Sequence, residues 1–180
     1  MKNKRLILNQ TQLELSIKRL CCQLIEKHND FSNTVLIGLQ PRGIYLAKRI
    51  QEELKLITGN KTISLGSLDI TFFRDDFRRR ESPLMANKTQ IDFMVEGKNV
   101  ILIDDVLFTG RTIRAGLDAM LAYGRPALVE LLVLVDRRYS RHLPIEPNYV
   151  GTTVDSVISE RVEARWEETD GKNEVILKEQ

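Results

Sequence analysis

The chain has 180 residues, of which 42% are hydrophobic and 29% are charged, and its formal net charge is +2. A chain of this size can bury one well-formed core, so we predict a single domain over residues 1–180. So small a net charge gives no overall argument for nucleic-acid binding, which would need local basic clusters. No segment approaches the roughly 20 apolar residues of a membrane span and no signal core follows the N-terminus, which predicts a cytoplasmic protein without a membrane partner.

Two adjacent cysteines, Cys21 and Cys22, are the only ones in the chain. Adjacent positions suit neither a disulfide framework nor a metal site, whose ligands are spaced along the sequence. We therefore expect two buried thiols.

Helical patterns of apolar residues alternate with strand-like runs, which is typical of an α/β fold with a mainly parallel central sheet flanked by helices. The first helical pattern can begin at a cap formed by Asn9 or Thr11. Gly59 ends the second pattern, and Gly124 with Pro126 ends the third. The three predicted helices span residues 11–28, 43–57 and 110–123.

Apolar runs, most of them continuous, predict strands buried on both faces, as in a parallel sheet. Near the C-terminus, looser alternation at 162–166 and 174–177 predicts short strands, so we expect residues 136–180 to contribute to a small hood beside the main sheet. The predicted strands of the main sheet span residues 34–38, 63–73, 100–103 and 128–135.

A polar, arginine-rich stretch over residues 74–92 shows little periodicity. Structureless segments of this length are commonly functional lids or disordered loops. Arg74, Asp75 and Asp76 adjoin a predicted strand end and are the better lid candidates. Arg78 belongs to a run of charges that could equally form a solvated surface.

An apolar run, residues 100–103, ends at two adjacent carboxylates and gives way to small, hydroxylated and cationic residues. In open α/β sheets ligands bind outside the carboxyl ends of the strands, and a helix that starts near Gly110 directs free backbone N–H groups into the same space. We predict a sugar-phosphate site here, the alternative being an ordinary strand-to-helix turn with solvated carboxylates. The predicted contacts are Asp104, Asp105, Val106, Leu107, Phe108, Thr109, Gly110, Arg111 and Thr112.

The paired carboxylates indicate what lies beside the phosphate. Two anions would weaken a site for phosphate alone, whereas carboxylates accept hydrogen bonds from the vicinal hydroxyls of a ribose. We therefore expect Asp104 and Asp105 to bind the sugar while the following loop binds its 5-phosphate.

A second loop, Pro41, Arg42 and Gly43, also lies between a predicted strand and a predicted helix. Arg42 offers a guanidinium fork for phosphate oxygens, and Gly43 lets backbone N–H groups approach a ligand. On its own this tripeptide is a weak turn motif and Arg42 could be a surface residue. Its place relative to the first loop predicts pyrophosphate binding.

The segment VILIDDVLFTGRT at 100–112 resembles the phosphoribosyl-pyrophosphate (PRPP) signature of type I phosphoribosyltransferases. From about Ile7 to Leu177 the chain is similar to the pyrimidine operon attenuator and uracil phosphoribosyltransferase family, PyrR. Further matching segments lie at residues 42–49, 69–76, 111–116, 124–126 and 133–137. The resemblance implies a type I phosphoribosyltransferase fold and the conversion of uracil and PRPP to UMP and pyrophosphate.

The resemblance also implies the roles of the charged residues. Asp104 and Asp105 would place negative charge beside the oxocarbenium-like sugar, and Arg42 would neutralise the departing pyrophosphate, so these three are the catalytic candidates. Mg²⁺ is the implied cofactor, and the two aspartates would bind it indirectly, together with PRPP.

Phe108 bears on the choice of base. Purine phosphoribosyltransferases with a similar loop carry an aspartate there, and a phenylalanine cannot act as a general base. It would present an apolar ring to a pyrimidine, or it could pack beneath the loop. The resemblance further suggests base contacts from Asp136, Arg137, Arg138 and Val162, although Asp136 and Arg137 could equally form a structural ion pair.

The family also binds the leader RNA of the pyrimidine operon, with UTP and GTP as opposing effectors, and forms dimers or higher homo-oligomers. Lys18, Arg19 and Arg141 remain as candidate RNA contacts. Cys22, Glu146 and Thr152 stand where RNA-binding members carry histidine, arginine and lysine. Replacing a cation by an anion removes phosphate contacts and adds repulsion, so the sequence favours the enzyme over the attenuator.

Overall fold

The computed structural model describes residues 4–74, 87–157 and 159–179. Asp75, Asp76 and Arg78, which the sequence predicts in a lid, lie outside the described residues. The helices are α1 (Gln10–His28), α2 (Gly43–Thr58), α3 (Arg111–Met120) and the single turn α4 (Glu167–Asp170). The strands are β1 (Lys4–Leu8), β2 (Thr34–Leu39), β3 (Leu65–Leu68), β4 (Asn99–Leu107), β5 (Leu128–Arg138), β6 (Tyr149–Asp155), β7 (Glu160–Arg165) and β8 (Glu174–Glu179).

The main sheet has five parallel strands in the order β3-β2-β4-β5-β6, which confirms the α/β fold with flanking helices. Its central strands are apolar on both faces because helices cover both sides. One face packs against α1, α2 and the hood, with Leu36, Ile101 and Leu132 in its core. The other face packs against α3, with Leu102 and Val133 in its core.

The hood is an antiparallel sheet of three strands in the order β1-β8-β7. Strands form at both C-terminal segments where the sequence predicts them, and the N-terminal strand β1 joins them. Sequence reasoning missed β1. Trp166, at the end of β7, is fully buried in the same core cluster as the first face of the main sheet, so hydrophobic packing joins the two sheets.

Several element boundaries differ from the sequence prediction. The predicted strand at 63–73 is only the four-residue β3, followed by a 3-10 turn at Thr71–Phe73. The Asp69 carboxylate ends the strand, because it accepts hydrogen bonds from the N–H and hydroxyl of Thr71 at 3.1 and 2.6 Å. β6 was not predicted, and it belongs to the main sheet rather than to the hood.

The helix ends follow local chemistry. Asn9 caps α1, accepting a hydrogen bond from the Gln12 N–H at 2.9 Å while the Gln12 side chain accepts from the Asn9 N–H at 3.0 Å. Gly59, in the left-handed region, ends α2. Within α1, Cys21 is buried, which raises its pKa to about 12, but Cys22 is exposed, contrary to the prediction of two buried thiols. Among the described residues no helix is long and apolar enough to cross a membrane.

Candidate active site

The two predicted ribose-binding carboxylates lie at the carboxyl end of β4, in the middle of the main sheet. Asp104 is 6% exposed and Asp105 is 8% exposed. Asp104 lines a cavity in front of α3, and its Oδ1 also lies beside Gly43 at the start of α2. Asp105 lies near enough to Arg42 to interact with the charge of its guanidinium.

Burial disfavours the charged forms of both carboxylates. It raises the pKa of Asp104 well above its ordinary value, and the adjacent charge of Asp105 raises it further. Burial also raises the pKa of Asp105, although the N–H of Val106 and the charge of Arg42 act in the opposite direction. The Asp105 N–H donates to Asp104 Oδ1 at 3.0 Å and the Val106 N–H donates to Asp105 Oδ1 at 2.8 Å. The site therefore holds two buried carboxyl groups in a fixed geometry, which suits hydroxyl donors and cations.

The loop between β4 and α3 surrounds a cavity of about 200 Å³, lined by Arg74, Asp104 and residues 106–113. Gly110 has a φ of 89°, a left-handed conformation that other residues adopt at a cost, and it leads directly into α3. The first N–H groups of α3 have no partners within the helix and carry its positive dipole end. The loop can therefore bind a phosphate beside the carboxylates, and residues 108–110, between β4 and α3, are called the phosphate loop below.

The second predicted loop meets the first. The Gln40–Pro41 peptide bond is cis, and α2 begins at Gly43. A Cβ atom on Gly43 would lie 2.6 Å from the Ile103 carbonyl oxygen and 2.9 Å from Asp104 Cα, so only glycine fits against β4 at this point. The N-terminus of α2 is thereby held next to the carboxylate pair.

Arg42, the predicted pyrophosphate ligand, is engaged with the hood. Its Nη1 donates to the Ala164 carbonyl oxygen at 2.7 Å and to Asp170 Oδ2 at 3.1 Å, and its Nη2 donates to Asp170 Oδ1 at 3.5 Å. Sequence reasoning missed Asp170, since no local pattern connects two residues 128 positions apart.

Phe108 and Arg137, both predicted near the base, are stacked on each other. The Arg137 guanidinium lies 3.9 Å from the centre of the half-buried Phe108 ring. Arg137 is 3% exposed, and it donates to Ser156 Oγ at 2.8 Å and to the carbonyl oxygens of Val157 and Glu160 at 3.2 and 2.8 Å. The pair therefore joins the loop after β4 to the segment that enters the hood.

Asp136 pairs with Arg141 rather than with Arg137, so the predicted alternative of an Asp136–Arg137 ion pair is wrong. Arg141 also donates to the carbonyl oxygen of Phe108. The N–H groups of His142 and Leu143 donate to the Thr109 carbonyl oxygen at 3.0 and 3.3 Å. The segment after β5 thus holds the phosphate loop from outside.

The structure places two other predicted base contacts away from the cavity. Arg138 forms an exposed ion pair with Asp155 at 2.7 Å. Val162 is 6% exposed and packs in the core between the hood and the main sheet. Neither side chain is among those that line the cavity in front of α3.

The predicted RNA-binding residues divide between surfaces. Lys18 and Arg19 are both exposed on α1. Arg19 lies over β6, where it donates to the carbonyl oxygens of Val150 and Gly151, next to Thr152 in the strand. Lys18 instead lines a groove between α1 and α2. Since Arg141 is engaged with the phosphate loop, the three do not form one basic patch.

The carboxylate pair fits a divalent cation that the substrate helps to bind. Among the described residues no group of three or more histidine, cysteine or acidic side chains could hold a metal by itself. Asp104 and Asp105 nevertheless supply two buried carboxylates, and burial raises the pKa of both because it disfavours their charged forms. This arrangement suits Mg²⁺, which prefers few carboxylates together with phosphate oxygens.

The fold and the loop after β4 define a type I phosphoribosyltransferase. The phosphoribosyl transferase domain family matches residues 5–169. Hypoxanthine phosphoribosyltransferase of Trypanosoma cruzi superimposes with a TM-score of 0.73 at 13% identity, covering 98% of this chain and 97% of that one. The Staphylococcus aureus enzyme of the same name superimposes with a TM-score of 0.71 at 17% identity, covering 98% and 92%. At these identities the likeness shows the fold alone.

Relatives of higher sequence identity show to which family of phosphoribosyltransferases the chain belongs. The bifunctional protein PyrR of Caldicellulosiruptor bescii is 43% identical over 171 residues, covering 95% of this chain and 93% of that protein. The bifunctional protein PyrR of Halalkalibacterium halodurans is 43% identical over 176 residues, covering 96% of each. The chain therefore belongs to the PyrR family of phosphoribosyltransferases.

Proposed function

We propose that the protein converts uracil and PRPP to UMP and pyrophosphate. The observation that carries the proposal is the buried Asp104–Asp105 pair at the end of β4, beside the loop that opens α3. A diol-binding pair next to a phosphate-binding helix N-terminus matches the two ends of a ribose 5-phosphate. The Pro41–Gly43 loop, in contact with the same strand end, completes the site for the pyrophosphate of PRPP.

The mechanism rests on charge placement. The Asp104 and Asp105 carboxylates accept hydrogen bonds from the ribose hydroxyls, and their negative charge stabilises the positive charge that develops at the anomeric carbon. Residues 109–112 donate to the 5-phosphate, and Arg42 donates to the pyrophosphate as the bond to it lengthens. Asp104 and Asp105 would hold Mg²⁺ together with the bound substrate, and the ion would supply Lewis-acid stabilisation of the leaving group.

Pyrimidine preference is proposed from the Phe108–Arg137 stack. Phe108 gives the base side of the loop an apolar ring and no proton acceptor. With Arg137 packed behind it at 3.9 Å, the ring cannot rotate away without breaking the stack and exposing a buried cation. A pyrimidine, which has no imidazole nitrogen that must exchange a proton with a general base, fits this surface.

Product analysis with radiolabelled uracil, orotate, hypoxanthine and guanine, each with PRPP and Mg²⁺, tests the proposed function. We expect labelled UMP from uracil and no comparable product from the other three bases. A purine nucleotide as the main product would refute the pyrimidine assignment, and no product with any base would refute the enzyme.

Regulation through RNA is the second candidate function, since the relatives carry the name bifunctional protein. On the surface formed by α1 and β6, Arg19 donates to the carbonyl oxygens of Val150 and Gly151, which precede Thr152 in the chain. Cys22 and Glu146 are exposed without positive charge. We propose weak leader-RNA binding. Filter binding with the pyrimidine operon leader at several salt concentrations tests this, and tight binding with a steep salt slope would contradict it.

We also propose UTP and GTP as effectors that compete for the nucleotide site, and a homodimer or higher homo-oligomer. Leu15 on α1 and Leu56 on α2 are 62% and 79% exposed and offer apolar surface for association. Light scattering at several concentrations gives the oligomeric state, and a strictly monomeric protein would contradict this part of the proposal.

A further inference from the structure

Arg42 lies between two carboxylates, of which Asp105 belongs to the candidate active site and Asp170 to the hood. The charge of each is close enough to raise the pKa of Arg42, although burial acts against them. The hydrogen bonds all go to the hood, to Asp170 and to the Ala164 carbonyl oxygen. The hood therefore determines where this guanidinium points.

The contacts leave one edge of the guanidinium available. Of its five N–H donors, both on Nη1 and one on Nη2 point to the hood. The remaining Nε–H and Nη2–H lie side by side on the other edge, and Nε forms no hydrogen bond with any described residue. Two parallel donors on one edge match two oxygens of a phosphate group.

Asp170 is itself held in place. Its Oδ2 accepts hydrogen bonds from the Trp166 N–H at 3.1 Å and the Thr169 hydroxyl at 2.8 Å. Trp166 is fully buried, so the backbone that holds Asp170 is part of the hydrophobic core. Restricting the rotation of a long side chain such as that of Arg42 costs entropy. A carboxylate fixed in this way can hold that side chain in one orientation.

We propose that Asp170 is a positioning residue, which holds the Arg42 guanidinium so that its second edge faces the pyrophosphate of PRPP. This inference rests on the proposed phosphoribosyl transfer. The opposite expectation is that Asp170 competes with PRPP for Arg42, in which case its removal would tighten PRPP binding. The geometry favours orientation, because Asp170 and the ligand use different edges of the guanidinium.

The matched control is Glu168, on the same turn of the hood. Glu168 accepts two hydrogen bonds from Arg49 at 2.9 and 3.0 Å, an ion pair of similar form whose arginine lies further along α2. Asp170→Asn keeps the oxygen that accepts from the Trp166 N–H and removes the charge. Glu168→Gln makes the equivalent change where no ligand is expected.

The experiment measures steady-state kinetics of UMP formation and the calorimetric Kd of PRPP with Mg²⁺ for both variants. We expect Asp170→Asn to raise the KM and Kd for PRPP about tenfold and to change the KM for uracil less than twofold, and Glu168→Gln to change neither. In an Arg42→Gln background, Asp170→Asn should have no further effect on PRPP binding.

Unchanged or tighter PRPP binding in Asp170→Asn would overturn the inference, as would an equal loss in Glu168→Gln or a full effect in the Arg42→Gln background. The calorimetric measurement separates this inference from the proposed function. A wild-type protein that binds PRPP but makes no UMP would refute the proposed function, while the comparison of variants would still test Asp170.

Discussion

Asp104 and Asp105 show how function can oppose stability at single residues. Burial raises the pKa of both carboxylates, Asp104 most strongly, so their charged forms are disfavoured in the folded protein. A carboxylate with a raised folded-state pKa destabilises the fold as pH rises through that pKa. In our account, PRPP and Mg²⁺ compensate the charge of this pair when they bind.

Replacing both charges should therefore separate the two properties. We predict that Asp104→Asn with Asp105→Asn reduces UMP formation on the order of a hundredfold or more, while the unfolding temperature at pH 7 is unchanged or higher. Activity assays and thermal denaturation followed by circular dichroism measure both. Turnover near the wild-type rate, or a large loss of stability at pH 7, would contradict this interpretation.

At the residue scale, the positions of candidate site residues could be predicted from the sequence where the signal is local. Asp104, Asp105 and Gly110 lie in one uninterrupted segment, so their types and spacing indicate a strand end, a carboxylate pair and a helix start. Arg42 could be selected from its own loop, but its partner Asp170 could not, and neither could the Arg137–Phe108 stack. These contacts depend on how the hood packs on the sheet.

At the scale of elements, the end of β5 and the segment after it hold the phosphate loop. Arg141 connects Asp136, on β5, to the carbonyl oxygen of Phe108. We predict that Arg141→Gln lowers kcat/KM for PRPP about tenfold, since the loop loses a charge-assisted hydrogen bond that fixes its position. Steady-state kinetics with PRPP as the varied substrate measures the effect.

Arg138→Gln is the control for this prediction. Arg138 belongs to the same strand and forms an ion pair with Asp155, but both side chains are exposed, at 50% and 57%. Exposed pairs of this kind contribute little, so kinetics close to wild type are expected. If both variants lost activity equally, a general effect on β5 would replace the specific role of Arg141.

The Arg42–Asp170 ion pair, which joins the start of α2 to the hood, should make the stability of the protein depend on pH in the acid range. The bond from Arg42 lowers the pKa of Asp170 from 3.8 to about 2. A lowered folded-state pKa gives stability that is present above the unfolded pKa and lost as pH falls through the folded value. The urea midpoints of wild type and Asp170→Asn should therefore differ most at neutral pH, and the difference should shrink from pH 4 towards pH 2. A difference in urea midpoint that stayed constant over this pH range would contradict the prediction.

Element boundaries were predictable only where the local signal is strong. The continuous apolar runs of β2, β4 and β5 predict buried parallel strands, and the structure confirms them. β3 is shorter than predicted because the Asp69 side chain competes for the backbone at its end. β1 has an apolar run of only three residues and β6 has none of that length, and both form where neighbouring strands offer them a partner.

At the scale of the whole molecule, a buried polar cluster lies at the end of the sheet opposite the site. The Tyr149 hydroxyl donates to Glu130 Oε2 at 3.2 Å and lies 3.2 Å from His28 Nε2, and His28 Nδ1 lies 3.1 Å from the Thr34 hydroxyl. Glu130 is 2% exposed and also pairs with Lys27. The cluster joins α1 to three strands of the main sheet.

This cluster should stabilise the fold without affecting catalysis. We predict that Tyr149→Phe lowers the free energy of unfolding by about 1.5–3 kcal/mol, the usual contribution of a hydrogen bond to a charged group, and leaves the KM values unchanged. Tyr139→Phe is the control, because Tyr139 is 85% exposed. Urea denaturation of both variants gives the comparison, and equal stabilities would show that the cluster contributes nothing measurable.

The central claim is that the carboxylate pair and the adjoining loop bind PRPP, and calorimetric titration of PRPP with Mg²⁺ tests it most directly. We expect heat of binding at a single site per chain in the wild-type protein and none in the folded Asp104→Asn, Asp105→Asn variant. Equal binding by both proteins, or no binding by the wild type, would contradict the account.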